Sequence, residues 1–329
     1  MAPRAGTSRR FVVRAPATTA NLGPGFDCLG LTLDLWNETE VALAGDGLSV
    51  SVDGEGRSSL PRDGRNVVPA MLLRRLDELG CERPSGLRLE CRNRIPLDSG
   101  LGSSAAAVVT GLLAAETIAG HRSTESDVVR SAAAAEGHAD NAAAAVLGGL
   151  TAVALDGDDL VWRSWAVPRL PVVVVTPEGH YSTGEARAAL PAGVPLSAAV
   201  ANLGRVPLVI EALRQGDLDL LGRVMVDDLH ERGRLALTPG AAQAQRIARS
   251  AGAAAVAVSG SGPSLIAFVA DDDRAQRVGD TMADVFASAG VSARVRRLTT
   301  ITRGVHVAVS DADHGVAGGR NDAGDRPTV

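Results

Sequence analysis

Residues 95–107 read IPLDSGLGSSAAA, with two glycines one residue apart and then adjacent hydroxyls opening a run of alanine. These types at this spacing suit an anion-binding turn. Gly100 and Gly102 carry no Cβ, so the main chain can bend sharply and approach a ligand closely. Ser103 and Ser104 stand where a helix should begin, which turns unpaired N–H groups and the positive end of the helix dipole towards the loop. The Ser104 hydroxyl also suits a divalent metal bridging phosphates. A Walker loop is excluded, because it needs a lysine after its second glycine and all 33 Lys+Arg residues here are Arg. Asp98 adds a negative charge that is unfavourable beside phosphates unless it points away. A Gly-rich strand-to-helix turn with a serine N-cap would use the same residues, so the loop alone leaves both readings open.

The rest of the chain must position that loop. With 329 residues it suits two domains or two lobes. Its 45% hydrophobic content is ample for a core, and with 2% aromatics that core must be Ala, Val and Leu. A net charge of −5 argues against a nucleic-acid partner. Cys28, Cys81 and Cys91 form no CxxC pair and no disulfide framework, which indicates a reducing cytosol. No apolar signal core or run of membrane-spanning length is evident, so a soluble cytoplasmic protein without a membrane partner is expected.

FVVRAPA, LSVSV and LRLEC read as strands and NVVPAMLLRRLDEL as a helix. SSAAAVVTGLLAAETIA is apolar nearly all round, which predicts a buried helix from Ser103. LTAVALDGDDLVWRSW predicts two short strands about an Asp-Gly turn. The second half predicts a strand at PVVVVTP, helices over 182–252, strands at AAVAVSG and SLIAFVA, a helix over 273–288 and a strand at ARVRRL. That order fits a split βαβ lobe. Residues 1–9 read as a loose arm and 310–329 as a disordered tail.

Three ordered segments, APATTANLGPGFDCLGLTLDL (15–35), IPLDSGLGSSAAAV (95–108) and VSGSGPSLIAF (258–268), resemble the motifs of the GHMP kinases. EGHADNAAAAVLGGL (136–150), YSTGEARAALP (181–191) and DDLHERGRLALTPG (227–240) are similar to the homoserine kinases within that family. The resemblance implies an α+β, two-lobed GHMP kinase fold. Its N-terminal mixed α/β lobe, with the phosphate loop, would span 10–168, and its C-terminal split-βαβ, ferredoxin-like lobe 169–309. It further implies ATP as co-substrate, Mg²⁺, L-homoserine as acceptor and a homodimer. Another small-molecule GHMP kinase, such as a mevalonate kinase, is the nearest alternative. A catalytically silent sensor is a further one, against which Ser104 and Glu136 speak.

The resemblance also implies site residues. ATP would meet Pro96, Leu97, Asp98, Ser99, Gly100, Leu101, Gly102, Ser103, Ser104, Ala105 and Ala106. Asn66 would contact adenine, although a helix N-cap is an equal reading. Glu136 would join Ser104 on the metal, as a carboxylate suits a hard cation. Asn21, Asp27, His138, Asn141, Thr183, Arg187 and Arg234 would surround the acceptor, with Asp27 and Asn141 nearest the catalytic step. An amide is no useful base near neutral pH, so alignment and charge neutralisation would have to suffice. Arg187 and Arg234 are the candidates for the acceptor's carboxylate, because a planar guanidinium matches it bidentately. The SGSGPS turn (259–264) would pack against the phosphate loop.

Overall fold

The computed structural model describes residues 10–157, 159–179 and 181–309; the expected arm at 1–9 and tail at 310–329 lie outside the described residues. The first half runs β1 (Arg10–Asn21), β2 (Gly25–Ala42), β3 (Gly47–Gly54), α1 (Val67–Glu78), β4 (Gly86–Asn93), α2 (Ser103–Ala119), α3 (Glu125–Glu136), α4 (Asp140–Leu147), β5 (Leu150–Asp156) and β6 (Asp159–Trp165). The second half runs β7 (Pro171–Pro177), α5 (Thr183–Ala188), α6 (Leu196–Gln215), α7 (Leu218–Val224), α8 (Glu231–Leu235), α9 (Ala241–Ser250), β8 (Ala255–Val258), β9 (Leu265–Phe268), α10 (Asp272–Ser288), β10 (Ala293–Thr299) and β11 (His306–Val309).

The first sheet has seven strands in the order β11-β1-β2-β4-β3, with the β5–β6 hairpin branching from β2. Beside β1, β2 serves two further neighbours because it is 18 residues long: Glu38–Ala42 pairs with β4, while Leu29–Leu31 pairs with β5. The second sheet is antiparallel throughout, in the order β10-β7-β9-β8. That order and the intervening helices make it the expected split-βαβ lobe. β7 is apolar at successive positions because both of its faces are buried. Val172 and Val174 join the large core that runs into the first lobe, while Val173 and Val175 meet α9 and α10.

Three features differ from the sequence reading. β11, placed in the second lobe, returns to the first sheet and pairs antiparallel with β1 through Phe11–Val309 to Arg14–His306. β2 was not foreseen, because its NLGPGFD entry reads as turns and its two buried faces erase period-two alternation. The third is α6, with 20 residues, a mean hydropathy of 1.4 and 22% of its apolar window buried, which is long and apolar enough to cross a membrane. No uninterrupted apolar run announces it, because Asn202, Arg205, Pro207 and Glu211 break the segment. In the fold α6 packs on α7, and Asn202 Nδ2 donates to Asp227 Oδ1 at 2.7 Å.

Candidate active site

The loop expected to take phosphates is held largely by main chain. Gly102 is the N-cap of α2, with φ of 69° and no side-chain cap, so the expected serine cap is absent. The Ala106 N–H returns to the Gly102 carbonyl at 2.9 Å, which leaves the Ser103, Ser104 and Ala105 N–H groups at the open end of the helix. A Cβ on Gly102 would overlap Thr18 Oγ1, and one on Gly100 would overlap the Ser259 carbonyl. The glycines are therefore close approaches as well as a turn. Ser259 Oγ donates its one proton to the Gly100 carbonyl at 2.8 Å and can accept from Thr19 Oγ1 at 2.9 Å, so the SGSGPS turn braces the loop. Leu101, Ala105 and Ala106 are wholly buried, and Ser99 Oγ is engaged by the Pro96 carbonyl at 2.9 Å. Their side chains shape the loop from beneath. Asp98 is exposed, with φ of 49°.

Ser104 Oγ donates to Glu136 Oε1 at 2.7 Å, which brings the end of α3 against the start of α2. Two hard oxygen donors thus adjoin the loop. No group of three or more His, Cys, Asp or Glu suited to a metal exists among the described residues. Ser104 and Glu136 fit a hard cation that draws its remaining ligands from phosphate and water.

Across from the loop, Asn21, Leu22 and Gly23 take φ of 73°, 44° and 66°, and Asp27 takes 54°. Side chains rarely adopt this left-handed region, and each non-glycine residue held there costs roughly 1–3 kcal/mol. Asn21 holds the turn: its Oδ1 accepts from the Asp27 N–H at 2.9 Å and its Nδ2 donates to the Gly260 carbonyl at 2.6 Å. Arg187, near the end of α5, forms a fork with Asp27, Nη1 to Oδ2 at 2.9 Å and Nη2 to Oδ1 at 3.0 Å. One expected carboxylate binder therefore already holds a carboxylate of the protein.

Arg234 differs. It is 2% exposed, its Nη1 donates to the Gly260 carbonyl at 2.9 Å, and its Nε has no partner. Burial pushes its pKa down. Its Cζ lies 5.1 Å from the centre of the Phe26 ring. Asn141 is fixed by Thr18, whose Oγ1 donates to Asn141 Oδ1 at 2.7 Å. Its Nδ2 then faces Asp140 Oδ1 at 3.4 Å, the orientation a carboxylate favours. His138 Nδ1 lies 3.3 Å from the same oxygen, off the angle of a hydrogen bond, and Asp140 raises its pKa.

These groups line one cavity of about 450 Å³: Asn21, Asp27, Asp98, Ser99, Gly100, Gly102, Ser103, Ser104, Glu136, His138, Asn141, Thr183, Arg187 and Arg234 all reach it. Asn66 does not. It borders an adjoining, more apolar cavity of about 270 Å³ that shares Asp98, Ser103 and Ser104. Asn66 caps α1 by accepting from the Val68 N–H at 3.1 Å, so the capping reading holds. A larger, more open hollow of about 610 Å³ flanks β5–β6, but the Arg130 and Asp159 on its wall pair with each other. Phe26, His230, Thr18, Asp140 and Ser259 were not named as site residues in the sequence reading, although all five lie within the quoted motifs.

Residues 66–149 match the GHMP kinases N terminal domain, and residues 209–288 match GHMP kinases C terminal. A homoserine kinase of Moorella thermoacetica is 43% identical over 297 residues, spanning 90% of this chain and 99% of that protein. The chain belongs to the GHMP kinase family. Another relative of this GHMP kinase, a homoserine kinase of Desulfitobacterium hafniense, is 37% identical over 90% of this chain and 99% of its own. The crystal structure of homoserine kinase from Cytophaga hutchinsonii superposes with a TM-score of 0.81 at 32% identity, covering 93% of this chain and 100% of that one. A mevalonate kinase of L. major in complex with R-mevalonate shares the GHMP kinase fold at a TM-score of 0.70 and 19% identity, over 92% of this chain and 100% of that one.

Proposed function

We propose that this GHMP kinase transfers the γ-phosphoryl group of ATP to the side-chain hydroxyl of L-homoserine, giving O-phospho-L-homoserine for threonine synthesis. The observation that carries the acceptor is Arg234, a buried guanidinium at the cavity wall with no ion pair among the described residues. A buried cation left unpaired is costly, and an acceptor carboxylate offsets that cost with a charged, bidentate hydrogen bond. Mevalonate also carries a carboxylate, but the homoserine kinases named above are far more similar to this chain.

In this reading the N–H groups of Ser103, Ser104 and Ala105 receive the phosphates, and the adjoining cavity beside Asn66 takes the adenine. Ser104 and Glu136 would hold Mg²⁺, which when bound neutralises charge on the transferring phosphate. Asp27, in its fork with Arg187, keeps lone pairs for the acceptor's ammonium, with Thr183 beside it. Asn141 offers an N–H towards the acceptor hydroxyl and cannot serve as its base. Rate acceleration then rests on alignment and fixed charge, which a loose phosphoryl-transfer transition state allows. A cytoplasmic location agrees with three free cysteines. The proposed homodimer is supported by α6, where Leu196, Val200 and Leu203 are 79%, 57% and 72% exposed along one side.

The test is a coupled ADP-release assay with ATP, Mg²⁺ and, in turn, homoserine, mevalonate and galactose. Homoserine alone should be turned over efficiently. Preference for either other acceptor would refute the reading, and no turnover of any would favour a sensor.

A further inference from the structure

We infer that His230 is a positioning residue that sets the plane of the Arg234 guanidinium and so aims its free edge at the acceptor carboxylate. This rests on the acceptor assignment above. His230 precedes Arg234 by four residues at the start of α8, which puts the two side chains on one side of the helix. The imidazole is wholly buried. Its Nε2 lies 2.8 Å from the Gly23 carbonyl, and its Nδ1 lies 3.1 Å from Arg234 Nη1. A carbonyl only accepts and a guanidinium only donates. The two neighbours therefore fix one neutral tautomer, with the hydrogen on Nε2 and a lone pair on Nδ1.

The consequence falls on Arg234. One Nη1 hydrogen goes to His230 Nδ1 and the other to the Gly260 carbonyl at 2.9 Å, so that nitrogen is fully used. Nε has no partner, and Nη2 makes no hydrogen bond with any described residue. Nε and Nη2 share one edge of the plane, the edge that takes a carboxylate side-on with two parallel hydrogen bonds. Fixing Nη1 from the far side leaves that edge for a ligand, with Nη2 the reachable donor and Nε unpartnered but covered by protein. Phe26 supports both partners, stacking on His230 at 5.0 Å and 24° and lying beneath Arg234. Asp227 sits 3.8 Å from His230 Nε2, but it receives the Leu229, His230 and Glu231 N–H groups and Asn202 Nδ2. It therefore leaves the tautomer to Gly23. Through the Gly23 and Gly260 carbonyls, the same network ties the arginine to the turns that flank the phosphate loop.

Two replacements separate positioning from plain packing. His230→Asn keeps an acceptor where Nδ1 stood and loses the bond to Gly23. His230→Gln reaches the Gly23 carbonyl and loses the acceptor for Arg234. Each removes one hydrogen bond and the ring, so their melting temperatures should fall alike. Steady-state kinetics of the full chain should then differ: the KM for homoserine should rise about tenfold in the Gln variant, the worth of one charged hydrogen bond. It should stay within about threefold of wild type in the Asn variant, with the KM for ATP steady in both. An unchanged homoserine KM in the Gln variant, or equal rises in both variants, would overturn the inference while leaving the acceptor assignment in place. Failure of the wild type to use homoserine would overturn both.

Discussion

The two ends of the cavity are built from different material. The proposed phosphate end is main chain: the Gly100–Gly102 turn, the open N–H groups of α2 and carbonyls held by Ser259 and Thr18. None of these contacts uses a cation, and a chain without lysine can build them. The proposed acceptor end is side chain: Arg234 over Phe26 and against His230, and Arg187 locked to Asp27. Main-chain recognition tolerates a biased composition because any residue supplies an N–H. Side-chain recognition depends on which arginine is buried and unpaired, and composition says nothing about that. Arg187 and Arg234 make the point together, since they look alike in sequence and differ in partner and burial.

The largest effect should come from breaking the main-chain end. Gly102→Val adds a branched side chain where φ is 69° and where Thr18 Oγ1 occupies the Cβ position. ATP binding measured by calorimetry should be lost, by more than roughly a hundredfold if each phosphate contact is worth a charged hydrogen bond. A folded variant that binds ATP normally would mean the loop is only a turn. A smaller effect is expected at Arg187, whose ion pair with Asp27 is well exposed. Arg187→Leu should raise the KM for homoserine by about fivefold or less, because surface pairs contribute about 0–1 kcal/mol and Asp27 remains. A larger rise than that caused by Arg234→Leu would reverse the roles of the two arginines.

The smallest effect on turnover, but a visible one on stability, belongs to Glu231 behind the acceptor end. Its carboxyl is buried between the Val258 N–H and Gln245, and burial raises its pKa from 4.5 to about 7. A carboxyl with a raised folded pKa favours the fold below pH 4.5, and that contribution is lost as pH climbs through 7. The wild type should therefore melt lower at pH 8 than at pH 5.5, with an upper bound of about 2 kcal/mol on the difference. Glu231→Gln should flatten that dependence in thermal melts across the same range. A wild type and variant with parallel melting profiles would show that the carboxyl titrates where an exposed one does.

Much of the phosphate end was legible because its needs are local. Gly100, Gly102 and the adjoining serines carry the turn, the close approach and the helix start within five residues. The split-βαβ lobe was legible for a related reason, as β7, β8 and β9 are short apolar runs and β10 alternates apolar residues with arginine, all separated by clear punctuation. β11 was not, since its place beside β1 is a pairing across nearly the whole chain and leaves no mark on four residues. Ser104 and Glu136 were paired by resemblance as the proposed metal ligands, and the fold places their oxygens 2.7 Å apart. His230 was missed because a lone histidine between Leu229 and Glu231 looks like any core histidine. Its role appears only when the Gly23 carbonyl and Arg234 are seen on its two nitrogens. Asn21 was read as a substrate contact, yet its amide is engaged in bracing a left-handed turn.

The most direct test of the account compares wild type and Arg234→Leu on homoserine and on an analogue that lacks the carboxylate. Removing a charge-assisted bidentate contact should lower kcat/KM for homoserine by roughly ten- to a hundredfold, since such bonds are worth about 1.5–3 kcal/mol. The KM for ATP should hardly move. The melting temperature should hold or rise, because an unpaired buried cation has been removed. The analogue should be poor for wild type and lose little more in the variant. If the variant still discriminates against the analogue as strongly as wild type does, Arg234 is not where the carboxylate binds.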